Sequence, residues 1–369
     1  MKKRILTLDV IRSIAIVLVV ACHSFQQTIP AFNIDGSSQQ FVNYSIIKQI
    51  LAVSVFILGR TGVPLFLILS GYLMIDRPYN NKSYLKHFLL HNLLPLLVCF
   101  EIWTVIYELF LKKVFDLHIV LKDYFLSGLF LDNPASKLFS VYLWHYWYIP
   151  AILGLYLTLP FLANAIVKSS REVVNLFLGI SILFTMLLPE VSAVLSVERK
   201  SMATTTISIG TALSFSAVYF AFGYLIKQGA LKSLKSTWLI LIASIDFILL
   251  LAGSLFLDTK YIVPGRPIFG VWYTSPLLLV FSIVLFELLR RIPETDNLAV
   301  FTLFSKLSLG VYLIHRPVQM LFKKYGIATS GNDIWKFTVL LLGSLVVSYL
   351  IAWIISLIPI VRRGLLNVR

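Results

Sequence analysis

Read for hydropathy, the chain is a succession of apolar runs separated by short polar joints. Ten stretches hold the roughly 20 mainly apolar residues that a helix needs to cross a bilayer. They are 8–28, 48–75, 87–110, 141–163, 173–194, 206–227, 237–257, 268–290, 300–322 and 337–360. No joint is longer than about thirty residues, which leaves no room for a soluble domain. The pattern predicts an all-α, polytopic membrane bundle of about ten transmembrane helices. Residues 1–369 read as one integral domain with no appended soluble unit. No internal repeat is visible, which weighs against an inverted-repeat transporter.

Composition agrees: 58% of the 369 residues are hydrophobic and 13% charged, and mean hydropathy is +0.86. Soluble domains run nearer 45–50% and about 25%. The formal charge of +15 belongs to joints and helix ends. With the N-terminus cytoplasmic, the inner segments carry Lys2, Lys3 and Arg4, then Arg77, Lys82 and Lys86, Lys168 and Arg171. Lys227, Lys232 and Lys235, Arg290, Arg291 and Lys306, and Arg362, Arg363 and Arg369 follow. The outer loops hold acids beside their lysines: Asp116, Asp123, Asp132, Glu190, Glu198 and Asp258. The positive-inside rule then puts both termini in the cytoplasm. No long basic run or soluble basic domain exists to bind nucleic acid. Cys22 and Cys99 both lie in apolar segments and suggest neither a disulfide framework nor a metal site of the CxxC kind. MKKR and the following run loosely resemble a lipoprotein signal peptide, but Asp9 and Arg12 interrupt it, and the segment reads as a retained helix.

The informative residues are the polar exceptions. In LDVIRSIAIVLVVACHSF, Leu8–Phe25, His23 comes eleven positions after Arg12. That spacing returns His23 to within about 20° of the Arg12 face, about 16 Å further along the axis. Ionisable groups inside membrane helices face the bundle interior and mark function, unless they snorkel or are merely hydrogen-bonded. GRTGVPLFLILSGYLM, Gly59–Met74, holds Arg60 beside Pro64, which predicts a kink or break, and Ser70-Gly71, which permits close helix approach. Arg60 is either an interface anchor or a ligand for an anion. Glu101 and Glu108 share one helix face, suited to an ion pair with a membrane arginine. Tyr142, Trp144, Tyr146, Trp147 and Tyr148 form an interfacial aromatic belt around His145. Asp246 stands alone in the seventh stretch, and Lys260 and Arg266 lie in a turn with Pro264, Gly265 and Pro267. LSLGVYLIHRPV, Leu307–Val318, places His315 and Arg316 at the outer end of the ninth. On this topology His23, His145 and His315 converge in the outer half of the bundle. His87, His91 and His118 sit in or near loops and receive no role.

No zinc HExxH, GxSxG elbow or P-loop occurs, and the histidine spacing matches no known metal site. Histidine with nearby arginine suits acyl transfer to a hydroxyl. Imidazole takes the alcohol proton, and guanidinium stabilises an oxyanion, carboxylate or phosphate.

These blocks together resemble the membrane acyltransferase-3 family, ten-helix bacterial enzymes that acylate surface sugars. Arg12 and His23 match its hallmark of Arg, ten residues, then His. Arg60, Pro64, Phe66, Ser70 and Gly71 fall on its second-helix pattern. HYWYIPAILGLYLTLP places His145, Trp147 and Tyr148, and the late Tyr-Leu-Ile-His block places Tyr312 and His315. The resemblance implies transfer from cytoplasmic acyl-CoA, acetyl by default, to a hydroxyl of a surface polysaccharide, glycolipid or lipid-linked precursor. It implies no permanently bound cofactor and no metal, and a home in the bacterial cytoplasmic membrane. By the same carry-over His23 is the base or acyl relay and Arg12 binds or orients the donor. Arg60, Ser70, His145, Trp147, Tyr148, Tyr312 and His315 contribute to donor or acceptor binding. Two rival readings remain: a transporter or flippase for a glycan precursor or acyl metabolite, and a non-catalytic partner in glycan export. Turnover of an acyl-CoA separates them.

Overall fold

The structure, a computed structural model, describes residues 4–29, 44–116, 144–195, 214–260 and 271–367. Of these, 84% are helical and none lies in a strand. His118, the loop 117–143, Glu198 and the turn around Pro264–Pro267 lie outside the described residues.

In chain order the helices are α1 (Leu6–Thr28), α2 (Ile46–Arg60), α3 (Gly62–Met74), α4 (Lys82–Phe115), α5 (Tyr148–Lys168) and α6 (Arg171–Val191). Then come α7 (Phe215–Lys227), α8 (Ser236–Lys260), α9 (Pro276–Arg290), α10 (Phe301–Lys324), α11 (Asp333–Ser356) and the short α12 (Pro359–Leu365). Counting α2–α3 as one broken crossing, eight helices among the described residues are long and apolar enough to span a bilayer. The expected number was ten. The difference lies in α7 and α9, which have 13 and 15 residues. The chain before Pro276 is not helical over 271–275, although Val271, Tyr273 and Ser275 are buried. Non-helical backbone at this depth is tolerated because protein surrounds it.

The expected break beside Pro64 falls three residues earlier, at Thr61. Proline has no N–H to give the carbonyl four residues back and its ring crowds that carbonyl. Helix α2 accordingly ends at Arg60, and Pro64 occupies the first turn of α3, where a missing N–H costs little. Thr61 turns the chain by donating its hydroxyl to the Leu58 carbonyl at 2.6 Å.

Helix α1 is the axis of the bundle. Its most apolar window is 72% buried inside the protein, against 22% for α6 and α8, which are left mainly to lipid. It packs on α2, α3, α9, α10 and α11. Glycines set the distances. A Cβ at Gly62 would stand 2.7 Å from the Ala15 carbonyl oxygen, and one at Gly59 3.0 Å from the Cys22 backbone. Gly71 and Gly223 press α3 and α7 together, each against the other helix's carbonyl, at Phe220 and Ile68. Small residues permit this close approach, which lipid-embedded helices need in place of a hydrophobic drive.

One face of the bundle gathers both ends of the described chain, since Arg4, Leu366 and Asn367 line the same cavity. Glu294 caps α1 there, accepting from the Leu6 and Thr7 amides at 3.0 and 2.9 Å. Arg4 clasps Asp9 through two bonds of 2.5 and 2.7 Å. Lys227 pairs with Asp76 at 2.7 Å. Arg291 donates to the Leu231 and Leu234 carbonyls, fixing the joint between α7 and α8.

The two kinds of glycine behave oppositely on substitution. Gly71→Leu drives a side chain into the Phe220 backbone and is expected to cost more than the ~1–3 kcal/mol of ordinary overpacking. Gly154→Ala meets nothing within 4 Å and is expected to stabilise α5 by about 0.5–1 kcal/mol. Thermal melting of the detergent-solubilised protein reads both. Equal melting points for the two variants would contradict the packing described.

Candidate active site

The three histidines named from the sequence meet inside the bundle, one from α1, one from the 3-10 turn Trp144–Trp147 that leads into α5, and one from α10. His23 Nδ1 and His315 Nε2 are 2.8 Å apart. Their rings lie 10° from parallel with centroids 5.1 Å apart, the geometry of a bond in the plane of both imidazoles. His145 stands edge-on to both, 5.9 Å from His23 and 5.5 Å from His315. All three are buried.

The surrounding bonds assign the tautomers of the neutral rings. His315 Nδ1 lies 3.1 Å from the Val311 carbonyl oxygen. A carbonyl only accepts, so Nδ1 carries the hydrogen and Nε2 is the acceptor. His23 Nδ1 is then the donor to His315, and the lone pair of His23 resides on Nε2. The same logic applies to His145. Pro317 sits inside α10 and gives no N–H to the Leu313 carbonyl. Tyr107 of α4 donates its hydroxyl to that carbonyl instead. Its oxygen, 3.4 Å from His145 Nε2, therefore receives the His145 hydrogen. His145 Nδ1 keeps a lone pair and is buried without a hydrogen-bond partner among the described residues. The site thus holds two imidazole lone pairs. The direct His23–His315 bond leaves no gap for an ion between those nitrogens. Among the described residues no group of three or more His, Cys, Asp or Glu side chains is arranged to hold a metal ion.

Arg12 lies on the same helix as His23, towards the face that holds the chain ends. It makes no hydrogen bond or ion pair among the described residues and lines a cavity of ≈540 Å³. Arg4 and Lys306 make the mouth basic; Ser70, Tyr148, Tyr156 and Tyr312 form the deeper wall. Tyr312 joins cavity to histidines: its hydroxyl donates to the His145 carbonyl at 2.5 Å, and its ring lies 6.0 Å from His315. A second cavity of ≈590 Å³, walled by Tyr72, Asp76, Arg77 and Lys227, shares Arg4 and Arg12 with the first.

Residues 5–353 match the family model of the acyltransferase-3 acyltransferase domain. The chain belongs to that family. No curated protein and no solved structure gives a significant match. In this membrane acyltransferase Arg12 and His23 of α1 stand at the two ends of one feature, a basic cavity below and a histidine cluster above.

Of the other residues named from sequence, Ser70, Tyr148 and Tyr312 face the cavity. Trp147 and Arg60 do not. They belong to an aromatic wall, where Trp147 lies 5.3 Å from Tyr273 and Arg60 donates to the Tyr273 hydroxyl at 3.2 Å. Glu101 forms no ion pair among the described residues, and Glu108 is fully buried. Sequence reasoning gave no role to His91, which lines the acyltransferase cavity beside Asn92. It lies in the π-helical turn Leu89–Leu93 of α4 and stacks on His87 at 4.3 Å. It also missed Tyr107 and Tyr156. The signal for Tyr107 was Pro317, which announces a carbonyl in need of a donor.

Tyr107→Phe removes that donor and the acceptor of His145. It is expected to cost ~1 kcal/mol of stability and to slow acyl transfer about tenfold, as a 1.4 kcal/mol effect would. Melting and turnover of the same preparation check this, and turnover equal to wild type would show the His145 tautomer to be irrelevant.

Proposed function

We propose that this membrane acyltransferase is an O-acyltransferase, acetyl by default, that moves the acyl group of cytoplasmic acyl-CoA to a hydroxyl of a surface polysaccharide, glycolipid or lipid-linked sugar. The carrying observation is the His23–His315–Val311 chain of hydrogen bonds, which directs the His23 lone pair to Nε2. It stands beyond the deep end of a basic cavity that contains Arg12. The face with the chain ends is assigned to the cytoplasm, the membrane to the bacterial plasma membrane, and the whole of 1–369 to one catalytic domain.

In this reading the donor enters from the basic mouth. Arg12, with Arg4 and Lys306, holds its phosphates or orients its thioester. His23 Nε2 removes the acceptor hydroxyl proton as the oxygen bonds to the thioester carbon. The carbon–sulfur bond then breaks, and the thiolate leaves with that proton as free thiol. Alternatively Nε2 itself takes the acyl group and passes it on; both routes use the same lone pair. His315 is a positioning residue that keeps His23 in the productive tautomer. No cofactor beyond the acyl-CoA substrate is invoked.

The test is thiol release from acetyl-CoA by the protein in lipid, with and without a surface-glycan extract. His23→Ala is expected to lose about 10²–10⁴-fold in rate, the usual worth of a general base. His315→Asn, which still offers His23 an acceptor, is expected to retain more activity than His315→Leu by about tenfold. Equal rates for Asn and Leu would remove the positioning role. Undiminished turnover in His23→Ala would remove the mechanism, and transport of label without thiol release would replace the enzyme by a carrier.

A further inference from the structure

Arg60 closes α2 with a buried guanidinium, 4% exposed, and no carboxylate among the described residues pairs with it. Its surroundings are aromatic. The guanidinium carbon lies 4.8 Å from the Phe56 ring centre, 4.6 Å from Trp272 and 5.2 Å from Tyr273. One nitrogen donates to the Tyr273 hydroxyl at 3.2 Å, while Nε is buried with no hydrogen-bond partner among the described residues. Ring faces and the carbonyl end of α2 attract the cation. Neither neutralises it, and a buried charge without a counterion is costly. An anchor at the lipid interface would extend towards water; this side chain is turned into the protein instead, 4% exposed.

The place is as informative as the chemistry. Gly59 abuts the backbone of Cys22, so Arg60 sits beside α1 at the level of His23. Arg60 lines neither of the cavities that contain Arg12. The aromatic wall continues outward from it through half-buried rings. Trp147 lies 5.3 Å and Phe215 6.1 Å from Tyr273, the latter within 18° of parallel. Trp147 follows His145 by two residues in one short turn, so wall and histidines are rigidly joined. Flat amphipathic rings suit the apolar face of a sugar, and a forked cation beneath them suits a carboxylate or phosphate.

We infer that Arg60, with Trp272, Tyr273 and Trp147, is an acceptor subsite for a sugar that carries an anionic group, a carboxylate or a phosphate, next to the hydroxyl to be acylated. This deepens the proposed function by naming the acceptor class, and rests on it for the word acceptor. The binding itself is independent of turnover.

The experiment therefore reads binding. Wild type and Arg60→Gln, in nanodiscs of zwitterionic lipid, are titrated with glucuronate, glucose 1-phosphate and glucose by ligand-observed NMR. Acetyl-CoA and succinyl-CoA are titrated in parallel. Wild type is expected to bind one or both anionic sugars at least about tenfold more tightly than glucose, the worth of one charge-assisted bond. The variant is expected to lose that preference and keep its acetyl-CoA affinity. Preference for glucuronate alone assigns a carboxylate, and for glucose 1-phosphate alone a phosphate. Equal or absent binding of all three sugars overturns the inference, as does a preference that survives in Arg60→Gln. A succinyl-CoA preference that disappears in Arg60→Gln also overturns it, by placing the anion on the donor. Should Arg60→Gln fail to fold, Arg60→Lys keeps the charge without the fork. It is expected to bind anionic sugars less tightly than wild type and more tightly than glucose, and indifference to charge would again overturn the inference. Anionic-sugar binding without any acyl-CoA binding would leave the subsite standing and remove the acyltransfer reading.

Discussion

A helix packed against other helices over most of its surface has little lipid or water to which it can surrender a charge. That constraint governs α1. Its arginine cannot snorkel and its histidine cannot solvate, so each needs a cavity or a partner built from distant parts of the chain. The bundle supplies both. Glycines at 59 and 62 bring α2 and α3 against α1, α10 brings His315, and the void beside Arg12 is walled by four other helices and the chain's own ends. Ser24 and Gln319 repeat the α1–α10 link with a 2.9 Å bond. The polar residues of α1 thus account for much of the arrangement around it.

Prolines and a π turn complete the arrangement by moving backbone groups out of regular helix. Pro64 separates α2 from α3 and leaves Arg60 at a helix end. Pro317 releases the Leu313 carbonyl, and Tyr107 fills the vacancy while orienting His145. The π turn in α4 lodges His91 against the cavity, in keeping with the frequent use of such turns at functional sites. At Pro317 a local hydrogen bond is exchanged for a long-range one. Departures from regular helix thus border both the cavity and the histidine cluster.

Much of this was legible in the chain. Hydropathy located every long helix, because a span of about 20 apolar residues is a strong local signal. Helical periodicity put Arg12 and His23 on one stripe, and topology brought three histidines to one level. Among the described residues the shortfall from ten spanning helices falls at windows 206–227 and 268–290, where α7 and α9 have 13 and 15 residues; an apolar window does not give the length of the helix inside it. Helix α4 begins at Lys82 rather than near residue 87 because its first turns are polar and invisible to a hydropathy window. The partnership of His23 with His315, the bond from Tyr107 and the wall around Arg60 were not legible. They join residues tens to hundreds of positions apart, and no local pattern encodes which ring nitrogen meets which. Trp272 and Tyr273 read only as part of an apolar window.

The end of the histidine chain has a consequence for the membrane itself. It terminates on the Val311 peptide carbonyl, a group that accepts a hydrogen bond but does not take up a proton at any physiological pH. A carboxylate there would be a further station for protons; a peptide is a dead stop. A proton that reaches His23 finds no onward conductor through His315. Three imidazoles can in this way lie inside a membrane bundle while that branch remains an insulator, and the electrochemical gradient across the membrane is not drained along it.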